Sequence, residues 1–370
     1  MNTLKSWNFC TLFQDSQFER LLLQENNQMK LVSYKEQRGD RVCIYFNGKI
    51  YDLVDNAKAT GNEIPPGNMA DFLLSGKHAM DVARKVDAEI KNGNAKTNAS
   101  MSPASGILAP VPHPTSCRDG YAFRQHVAAA RRNRKVEMIK EFDEYPIFYF
   151  TNHNAIQGPG DIYCMPDHFK KLDFELEAAV VIGKRGRNIK ASEADDYIAG
   201  YMIMNDMSAR TLQMEEMALN LGPAKGKDFS TVIGPWLVTP DELEPFKMSA
   251  KKGHTGSNYN LKMKAWVNGK QVSEGNMSDM DWTFAEIIER CAYGVDILPG
   301  DVIGSGTVGT GCFLELNGTG LLSDANYKQQ WLQEGDVVEM EIDCLGHLSN
   351  TIRKVETDFS LLALKKMNKE

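Results

Sequence analysis

The chain has 370 residues, with 42 Lys and Arg against 49 Asp and Glu, a net charge of −7, and 42% hydrophobic residues. This length predicts two domains, and the apolar fraction is enough for each of them to bury a core. The acidic balance argues against nucleic acid or an anionic membrane as a partner, because both need a basic protein face. The longest apolar runs, such as 178–182, are far shorter than the ~20 residues that span a bilayer.

The first residues and the cysteines both bear on cellular location. Residues 1–20 carry a charge at Lys5 but no apolar core behind it, so they do not predict a secretory signal. The 7 cysteines are odd in number, scattered and without a C-x-x-C pair, which argues against a disulfide framework and a thiolate zinc site. We therefore expect a cytoplasmic protein whose cysteines act as small apolar side chains.

A change of composition at residues 92–116 predicts the domain organisation. This segment is rich in Asn, Ser, Ala and Pro and lacks apolar periodicity, which is typical of a linker. We place the boundary inside it, with an N-terminal domain at 1–105 and a second domain at 106–370. In the first domain the patterns predict strands at 29–34 and 41–45, an Asn-Gly hairpin turn, and helices at 69–74 and 78–90.

Strand patterns dominate the second domain. Apolar runs predict strands at 174–183, 201–204, 262–267, 301–304 and 337–343. Helical spacing predicts helices at 120–133, 192–198 and 282–290. The expected fold class is therefore α+β and rich in β-strands.

Two carboxylates lie close together on the strand predicted at 174–183. Glu175 and Glu177 project from one face, about 7 Å apart, because strand side chains alternate between faces, and Asp173 would share that face. Beside a buried apolar run they would repel each other unless a cation or a basic side chain lay between them. An isolated E-x-E pattern more often lines a solvated sheet face, so the pattern alone does not distinguish a cation site from an exposed surface.

Two further carboxylates favour a cation site. Asp206 follows the strand at 201–204, and Asp119 comes just before the predicted helix that carries His126. Four carboxylates without clustered Cys or His favour an all-oxygen site for Mg²⁺, Mn²⁺ or Ca²⁺. A regular helix would place His126 about two turns from Asp119 on the same face, although a single histidine on a helix is more often structural.

Two glycine-bearing loops complete the local patterns. Lys227 lies in the loop at 222–231, where a lysine is usually solvated. The run at 304–311, GSGTVGTG, lacks the Gly-Lys-Ser/Thr ending of a phosphate loop. We expect it instead to bring backbone N–H groups close to a small substrate, since glycine has no Cβ.

Six ordered segments together resemble the fumarylacetoacetate hydrolase family. They are RDGYAFRQH at 118–126, LDFELEAAVVIG at 172–183, MNDMSARTLQ at 204–213, GPAKGKDFSTVIGPW at 222–236, GSGTVGTG at 304–311 and FLEL at 313–316. The resemblance covers residues 110–365. It implies a mixed β-roll catalytic domain around a carboxylate-bound divalent cation, a small N-terminal domain similar to a β-barrel, and a homodimer.

The resemblance also implies a role for each matched residue. The metal ligands would be Asp119, Glu175, Glu177 and Asp206, with Lys227 and Thr231 beside the metal. His126 would be the general base, oriented by Glu315, and Lys227 would steady the developing oxyanion. The residues that would contact substrate are Tyr121, Tyr149, Arg210, Gln213 and Thr307.

The implied activity is hydrolysis of a C–C bond in a β-diketo acid, such as an acylpyruvate or a fumarylacetoacetate-like compound, in the breakdown of aromatic compounds. The cation, Mg²⁺ or else Mn²⁺ or Ca²⁺, would stabilise the leaving enolate while His126 takes a proton from water. Met217 and Lys135 occupy approximate positions where the animal members of this family that cleave fumarylacetoacetate have tyrosine and arginine. The identity of the substrate is therefore left open. Two alternatives stay open: a 2-oxo acid lyase, hydratase, decarboxylase or isomerase that uses the same enolate, and a non-catalytic domain that binds a small acid.

Overall fold

The computed structural model of the protein describes residues 28–36, 39–95 and 106–366. In these ranges the strands are β1 Lys30–Glu36, β2 Gly39–Phe46, β3 Lys49–Asp52, β4 Cys117–Gly120, β5 Phe148–Thr151, β6 Ile156–Gln157, β7 Gly160–Cys164, β8 Leu172–Asp173, β9 Leu176–Ile182, β10 Gly186–Arg187, β11 Ile198–Asp206, β12 Ser208–Ala209, β13 Thr231–Val238, β14 Lys247–Ser249, β15 Ser257–Tyr259, β16 Lys262–Val267, β17 Lys270–Asn276, β18 Asp296–Ile297, β19 Val302–Gly304, β20 Val337–Ile342 and β21 Gly346–Lys354. The segment examined for a secretory signal and the boundary at residue 105 lie outside the described residues.

Helices connect many of these strands. The α-helices are α1 Leu53–Ala59, α2 Met69–Leu74, α3 Gly76–Lys91, α4 Arg124–Asn133, α5 Ala191–Ala194, α6 Arg210–Ala218, α7 Phe284–Ala292 and α8 Phe313–Ser323. Short 3-10 helices lie at Lys140–Asp143, His153–Ala155, Pro166–Lys170, Asp195–Tyr197, Pro240–Phe246, Met277–Asp279 and Leu362–Leu364. None of the helices in the described ranges has both the length and the apolar character needed to cross a membrane.

Two sheets organise the described residues. The larger is mixed, with the strand order β3-β2-β1-β13-β11-β9-β19-β4-β5, and β6 pairs with β13 beside this path. The second sheet has the order β17-β16-β20-β21-β7. The β-rich, mixed fold class predicted from the sequence is confirmed.

Strand β9 lies at the centre of the larger sheet and contributes to two cores. All of its residues are buried, as a strand covered on both faces requires. Ala178 and Val180 pack in a core that also contains residues of the second sheet. Ala179 and Val181 pack in the other core, together with residues of α2 and α3. Because alternate residues face opposite sides, β9 separates the two cores.

The N-terminal strands join the larger sheet. β1 pairs antiparallel with β13, which places Leu31 opposite Leu237. The turn between β2 and β3 has positive φ at Asn47 (47°) and Gly48 (73°), as the Asn-Gly pattern predicts. The domain boundary near residue 105 and the barrel-like form of the first domain stay predictions.

The helix predicted at 120–133 is wrong at its start. Residues 117–120 form β4, which pairs with β19 and β5, and α4 begins only at Arg124. Hydrogen bonding to strands on both sides outweighs the local helical pattern. Asp119 and His126 therefore lie on different elements and not two turns apart on one helix.

Other predicted elements also differ from the structure. The strand predicted at 174–183 is shorter in the structure, since β9 runs from Leu176 to Ile182 and residues 174 and 175 separate it from β8. The helix predicted at 192–198 is α5 followed by the 3-10 helix Asp195–Tyr197, and Ile198 already belongs to β11. Helices α6 and α8 were not predicted from the sequence, and neither begins with a side-chain cap of its own.

Candidate active site

Four buried carboxylates meet at one end of the central strands of the larger sheet. Asp119 lies on β4, Glu177 on β9 and Asp206 at the end of β11, and Glu175 just precedes β9. Each offers an oxygen within 4.8 Å of the others, and each residue is at most 5% exposed. The structure therefore brings together the four carboxylates that were predicted as metal ligands.

The close approach of these carboxylates depends on a glycine between β9 and β4. Gly304 ends β19, with Asp119 opposite it on one side and Ala179 on the other. A Cβ at this position would lie 2.5 Å from Asp119 Oδ1 and 2.8 Å from Met204 Sδ. Since real Cβ atoms do not approach other atoms this closely, a side chain here would displace the Asp119 carboxylate.

The electrostatics of this cluster fit a divalent cation. Burial and the charge of Asp206 raise the pKa of Asp119 to about 7. Burial and the charge of Asp119 raise the pKa of Glu177 well above its usual range. Asp206 Oδ1 is buried and accepts no hydrogen bond from the described residues. An unpartnered acceptor among mutually repelling carboxylates suits a metal ion that prefers oxygen ligands.

Two buried basic side chains balance part of this negative charge. Lys227 donates hydrogen bonds to Glu175 and to Asp206 Oδ2, the latter at 2.6 Å. Arg210 Nη2 donates to Glu175 Oε1 at 2.8 Å. Burial alone would raise the pKa of Glu175, but the charges of Lys227 and Arg210 lower it, so Glu175 stays ionised. The four carboxylates still outnumber these two cations, which leaves room for the charge of a metal ion.

The glycine-rich loop at 304–311 supports the carboxylates from the other side. The Gly306 N–H donates to Asp119 Oδ1 at 3.1 Å and to Glu177 Oε2 at 3.0 Å. The Thr307 hydroxyl donates to Glu177 Oε1 at 3.4 Å. The Gly306 N–H is thus used to hold two carboxylates, and an approach of this loop to substrate stays a prediction.

A histidine–glutamate pair lies beside the cluster. His126 on α4 and Glu315 on α8 are both buried, and His126 Nδ1 is 2.7 Å from Glu315 Oε2. The Thr310 N–H donates to the other oxygen of Glu315 at 3.0 Å, which fixes its carboxylate. A ring nitrogen of His126 lies within 4.8 Å of an oxygen of Glu175. The pair can therefore move a proton next to a bound cation.

The predicted contacts to substrate and to the metal surroundings lie around the cluster. The Tyr149 hydroxyl donates to Asp206 Oδ2 at 2.5 Å, and burial raises the pKa of this tyrosine well above its usual range. The Tyr121 ring lies edge-on to the His126 ring, with centroids 5.9 Å apart. Thr231 begins β13 directly opposite Asp206. The structure brings all of these residues together at one site.

Arg210 links the cluster to a carboxylate outside it. Its guanidinium donates to Asp173 Oδ2 at 2.8 Å and to Gln213 Oε1 at 3.0 Å, in addition to Glu175. Asp173 also accepts hydrogen bonds from the first two N–H groups of α8, at 2.8 and 2.9 Å. Asp173 is thus joined to Glu175 through Arg210 and to the start of α8, and it is not part of the four-carboxylate group found among the described residues.

Cys312 belongs to the site, and the sequence analysis missed it. Its Sγ, a ring nitrogen of His126 and an oxygen of Glu175 lie within 4.8 Å of one another. Cys312 directly precedes α8, three residues before Glu315. Only the packing of α8 against α4 brings this cysteine to the histidine–glutamate pair, so no local sequence pattern indicates it.

Known proteins resemble this chain in sequence and in fold. Residues 115–353 match the family model described as fumarylacetoacetate (FAA) hydrolase C-terminal. Fumarylacetoacetase of Oryza sativa subsp. japonica is 36% identical over 207 residues, which is 48% of this chain and 48% of that protein. The chain thus aligns with about half the length of this plant relative.

A second relative aligns over most of its length. Oxaloacetate tautomerase YisK of Bacillus subtilis is 30% identical over 317 residues, which is 82% of this chain and 93% of that protein. The crystal structure of maleylpyruvate hydrolase from Sphingobium sp. SYK-6 covers 88% of this chain and 100% of its own, with a TM-score of 0.60 and 19% identity, which shows a shared fold. The chain therefore belongs to the fumarylacetoacetate hydrolase family.

Proposed function

We propose that the protein is a divalent-metal-dependent hydrolase that cleaves a C–C bond in a β-diketo acid. The observation that carries this proposal is the buried His126–Glu315 pair beside four buried carboxylates. One half of such a site binds a cation and the other half activates water. Acylpyruvates and fumarylacetoacetate-like compounds, which arise in the breakdown of aromatic compounds, are the proposed substrate class.

The carboxylate cluster would hold the cation. Mg²⁺ suits its oxygen donors, and Mn²⁺ or Ca²⁺ share this preference. The proposed ligands are Asp119, Glu175, Glu177 and Asp206, with Lys227 and Thr231 beside them. When bound, the ion polarises the substrate carbonyls and stabilises the enolate that leaves. Asp206 and Glu175 outweigh the effect of burial and keep the pKa of Lys227 raised, so this lysine stays charged between two ligands.

The histidine and glutamate would supply the proton transfer. When His126 Nδ1–H donates to Glu315, Nε2 is left to accept a proton from the attacking water. Glu315 then stabilises the imidazolium that forms. General base action of this kind contributes ~10²–10⁴-fold to the rate. The proposed substrate contacts are Tyr121, Tyr149, Arg210, Gln213 and Thr307.

An isomerase of 2-oxo acids is the second candidate function. The relative named as an oxaloacetate tautomerase aligns with 82% of this chain, whereas the plant fumarylacetoacetase aligns with 48%. Tautomerisation uses the same enolate but needs no attacking water. The buried His126–Glu315 pair supports water activation, and hydrolysis is therefore our first proposal. Lyase, hydratase or decarboxylase chemistry would differ in its products.

Product analysis separates these functions. Purified protein with Mg²⁺ is incubated with acetylpyruvate, oxaloacetate and a 2-keto-3-deoxy acid, and the products are identified by NMR. We expect acetate and pyruvate from acetylpyruvate, and no products after treatment with a chelator. Interconversion of enol and keto oxaloacetate without cleavage of any substrate would support the tautomerase instead. Mg²⁺ binding without any turnover would favour a domain that only binds small acids.

We further propose that the protein is a homodimer, as the family resemblance implies. Leu219 and Leu221 are each 81% exposed and supply apolar surface that a second copy could cover. Sedimentation equilibrium tests this, and we expect a mass of about twice the 41.4 kDa of the chain. A mass of one chain at all concentrations would contradict the dimer.

A further inference from the structure

A second group of metal donors lies beside the four carboxylates. A ring nitrogen of His126, Cys312 Sγ and an oxygen of Glu175 lie within 4.8 Å of one another, and all three residues are buried. This set mixes nitrogen, sulfur and oxygen donors, whereas the carboxylate cluster offers oxygen alone. Thiolate and imidazole donors favour zinc-like ions, and Mg²⁺ favours oxygen.

The surroundings of His126 suit metal binding. Its Nδ1 is 2.7 Å from Glu315 Oε2. Histidines that bind metals commonly donate their other ring N–H to a carboxylate, which fixes the tautomer and makes the free nitrogen more basic. Glu315 is itself held by the Thr310 N–H at 3.0 Å. Nε2 of His126 is therefore the nitrogen left to bind a metal ion.

The spacing of these donors is close to that of a zinc site. Bonds of about 2.0–2.3 Å in a tetrahedral zinc site place the donors roughly 3.3–3.8 Å apart. Donor atoms of the three residues already lie within 4.8 Å of one another, so small side-chain movements would bring the three residues to this spacing. Cys312 comes from the start of α8 and His126 from α4, so the site would join two packed helices.

We propose that His126, Cys312 and Glu175 form an inhibitory site for Zn²⁺ and similar ions that shares Glu175 with the oxygen-only cluster, because a carboxylate with two oxygens can bridge two ions. Binding would release the Cys312 thiol proton to solvent and occupy Nε2 of His126. The inhibition rests on the proposed function, in which this nitrogen accepts a proton from water, but the binding of zinc does not. Zinc would thus stop water activation even when Mg²⁺ is abundant.

Cobalt binding tests the site without an activity measurement. Co²⁺ bound by a thiolate produces an intense sulfur-to-cobalt charge-transfer absorption that oxygen ligands do not produce. The titration uses excess Mg²⁺ to occupy the carboxylate cluster, and a Cys10→Ser background because residue 10 lies outside the described residues. We expect stoichiometric Co²⁺ to produce this absorption, Zn²⁺ to abolish it, and Cys312→Ser to remove it.

Cys164→Ser is the matched control. Cys164 is a buried free thiol on β7 that belongs to neither of the donor groups found among the described residues, so its loss should leave the absorption unchanged. His126→Asn should weaken Co²⁺ binding by at least about tenfold. Circular dichroism and thermal unfolding show which variants are folded. An undiminished absorption in folded Cys312→Ser, or an unchanged affinity in folded His126→Asn, would overturn the site.

Activity measurements test the inhibitory consequence separately. With Mg²⁺ in excess, Zn²⁺ should inhibit the wild-type protein, and Cys312→Ser should be at least about tenfold less sensitive, relative to its own rate without zinc. Equal sensitivity of the two proteins would overturn the inhibitory role. If no substrate is turned over, the proposed function fails, while the cobalt absorption still decides whether the metal site exists.

Discussion

Glu175 joins the carboxylate cluster to its basic partners, Lys227 and Arg210. Glu175→Gln removes one charged ligand and one of the two carboxylate partners that Lys227 and Arg210 each have. We expect at least a tenfold loss of Mg²⁺ affinity by calorimetry and a loss of turnover. Glu341→Gln is the control, because Glu341 lies at the surface 3.5 Å from Lys264. Unchanged Mg²⁺ affinity in Glu175→Gln would contradict the four-carboxylate site.

We expect His168 to make the stability of the fold depend on pH. Its ring is buried against Phe229, with centroids 4.0 Å apart, and its Nδ1 accepts a hydrogen bond from the Met165 N–H at 3.3 Å. Burial and the charge of Lys225 lower the pKa of His168 to about 4. The folded protein therefore keeps His168 neutral in a range where the unfolded chain, with a pKa near 6.5, binds a proton.

This difference predicts that the free energy of unfolding falls as the pH is lowered from about 6.5 to about 4, by up to about 3 kcal/mol. Urea unfolding across this range measures the effect. His168→Gln removes the titrating ring, so this variant should lose less stability over the same range than the wild-type protein. Parallel pH dependence in the two proteins would show that His168 is not the cause.

At the level of elements, strand β19 determines whether the carboxylates can meet. Gly304→Ala would place a methyl group 2.5 Å from Asp119 Oδ1. We expect a large loss of Mg²⁺ affinity and about 1–3 kcal/mol of lost stability, as is usual for overpacking. Gly67→Ala is the matched control, because a Cβ there lies 3.5 Å from its nearest neighbour, Arg41 Nη1. Mg²⁺ binding that survives Gly304→Ala unchanged would contradict this account.

Elements with partners close in sequence were predictable, and those with distant partners were not. The hairpin at Asn47 and Gly48 needs only its own turn and adjacent strands. By contrast, β4 pairs with β19, which lies far along the chain, so no local window distinguishes it from a helix. Helix α8 begins at Phe313, whose N–H is bound by Asp173 from 140 residues away. The residues around Phe313 therefore contain no local pattern that predicts the start of this helix.

The site residues divide in the same way, into those with a local sequence pattern and those that only distant packing brings to the site. Glu175, Glu177 and Asp206 were evident from the sequence, because carboxylates at the ends of apolar runs are unusual. Asp119 was chosen instead for its place before a predicted helix, and the structure puts it on a strand. Asp173 has the same local signature but a different partner. Cys312 has no signature at all, since only the packing of α4 against α8 brings it to His126.

On the scale of the whole molecule, the N-terminal strands extend the larger sheet and the N-terminal helices cover one of its faces. Leu31 lies opposite Leu237, and Phe72 and Val82 share a core with Val181. Expressed alone, residues 106–370 would expose this apolar face. We expect that fragment to aggregate or to lack a cooperative unfolding transition, measured by gel filtration and circular dichroism.

The full chain, purified in parallel, is the control for this fragment. A folded, monodisperse fragment that binds Mg²⁺ as the full chain does would show that the second domain folds independently. That outcome would support the domain boundary predicted near residue 105, with the second domain as the unit of folding. It would argue against the whole larger sheet as that unit.

Arg210 fixes the distance between Glu175, in the carboxylate cluster, and Asp173, beside the start of α8. Its planar guanidinium joins Glu175, a proposed ligand, to Asp173, which binds the start of the helix that carries Glu315. Because this group is rigid and always charged, it acts as a spacer of constant length between the base and the cation. Cations of different radius would then be accommodated by the opposite ligands, Asp119 and Glu177. In the proposed hydrolysis, a change of metal would then leave the line of approach of the attacking water unchanged.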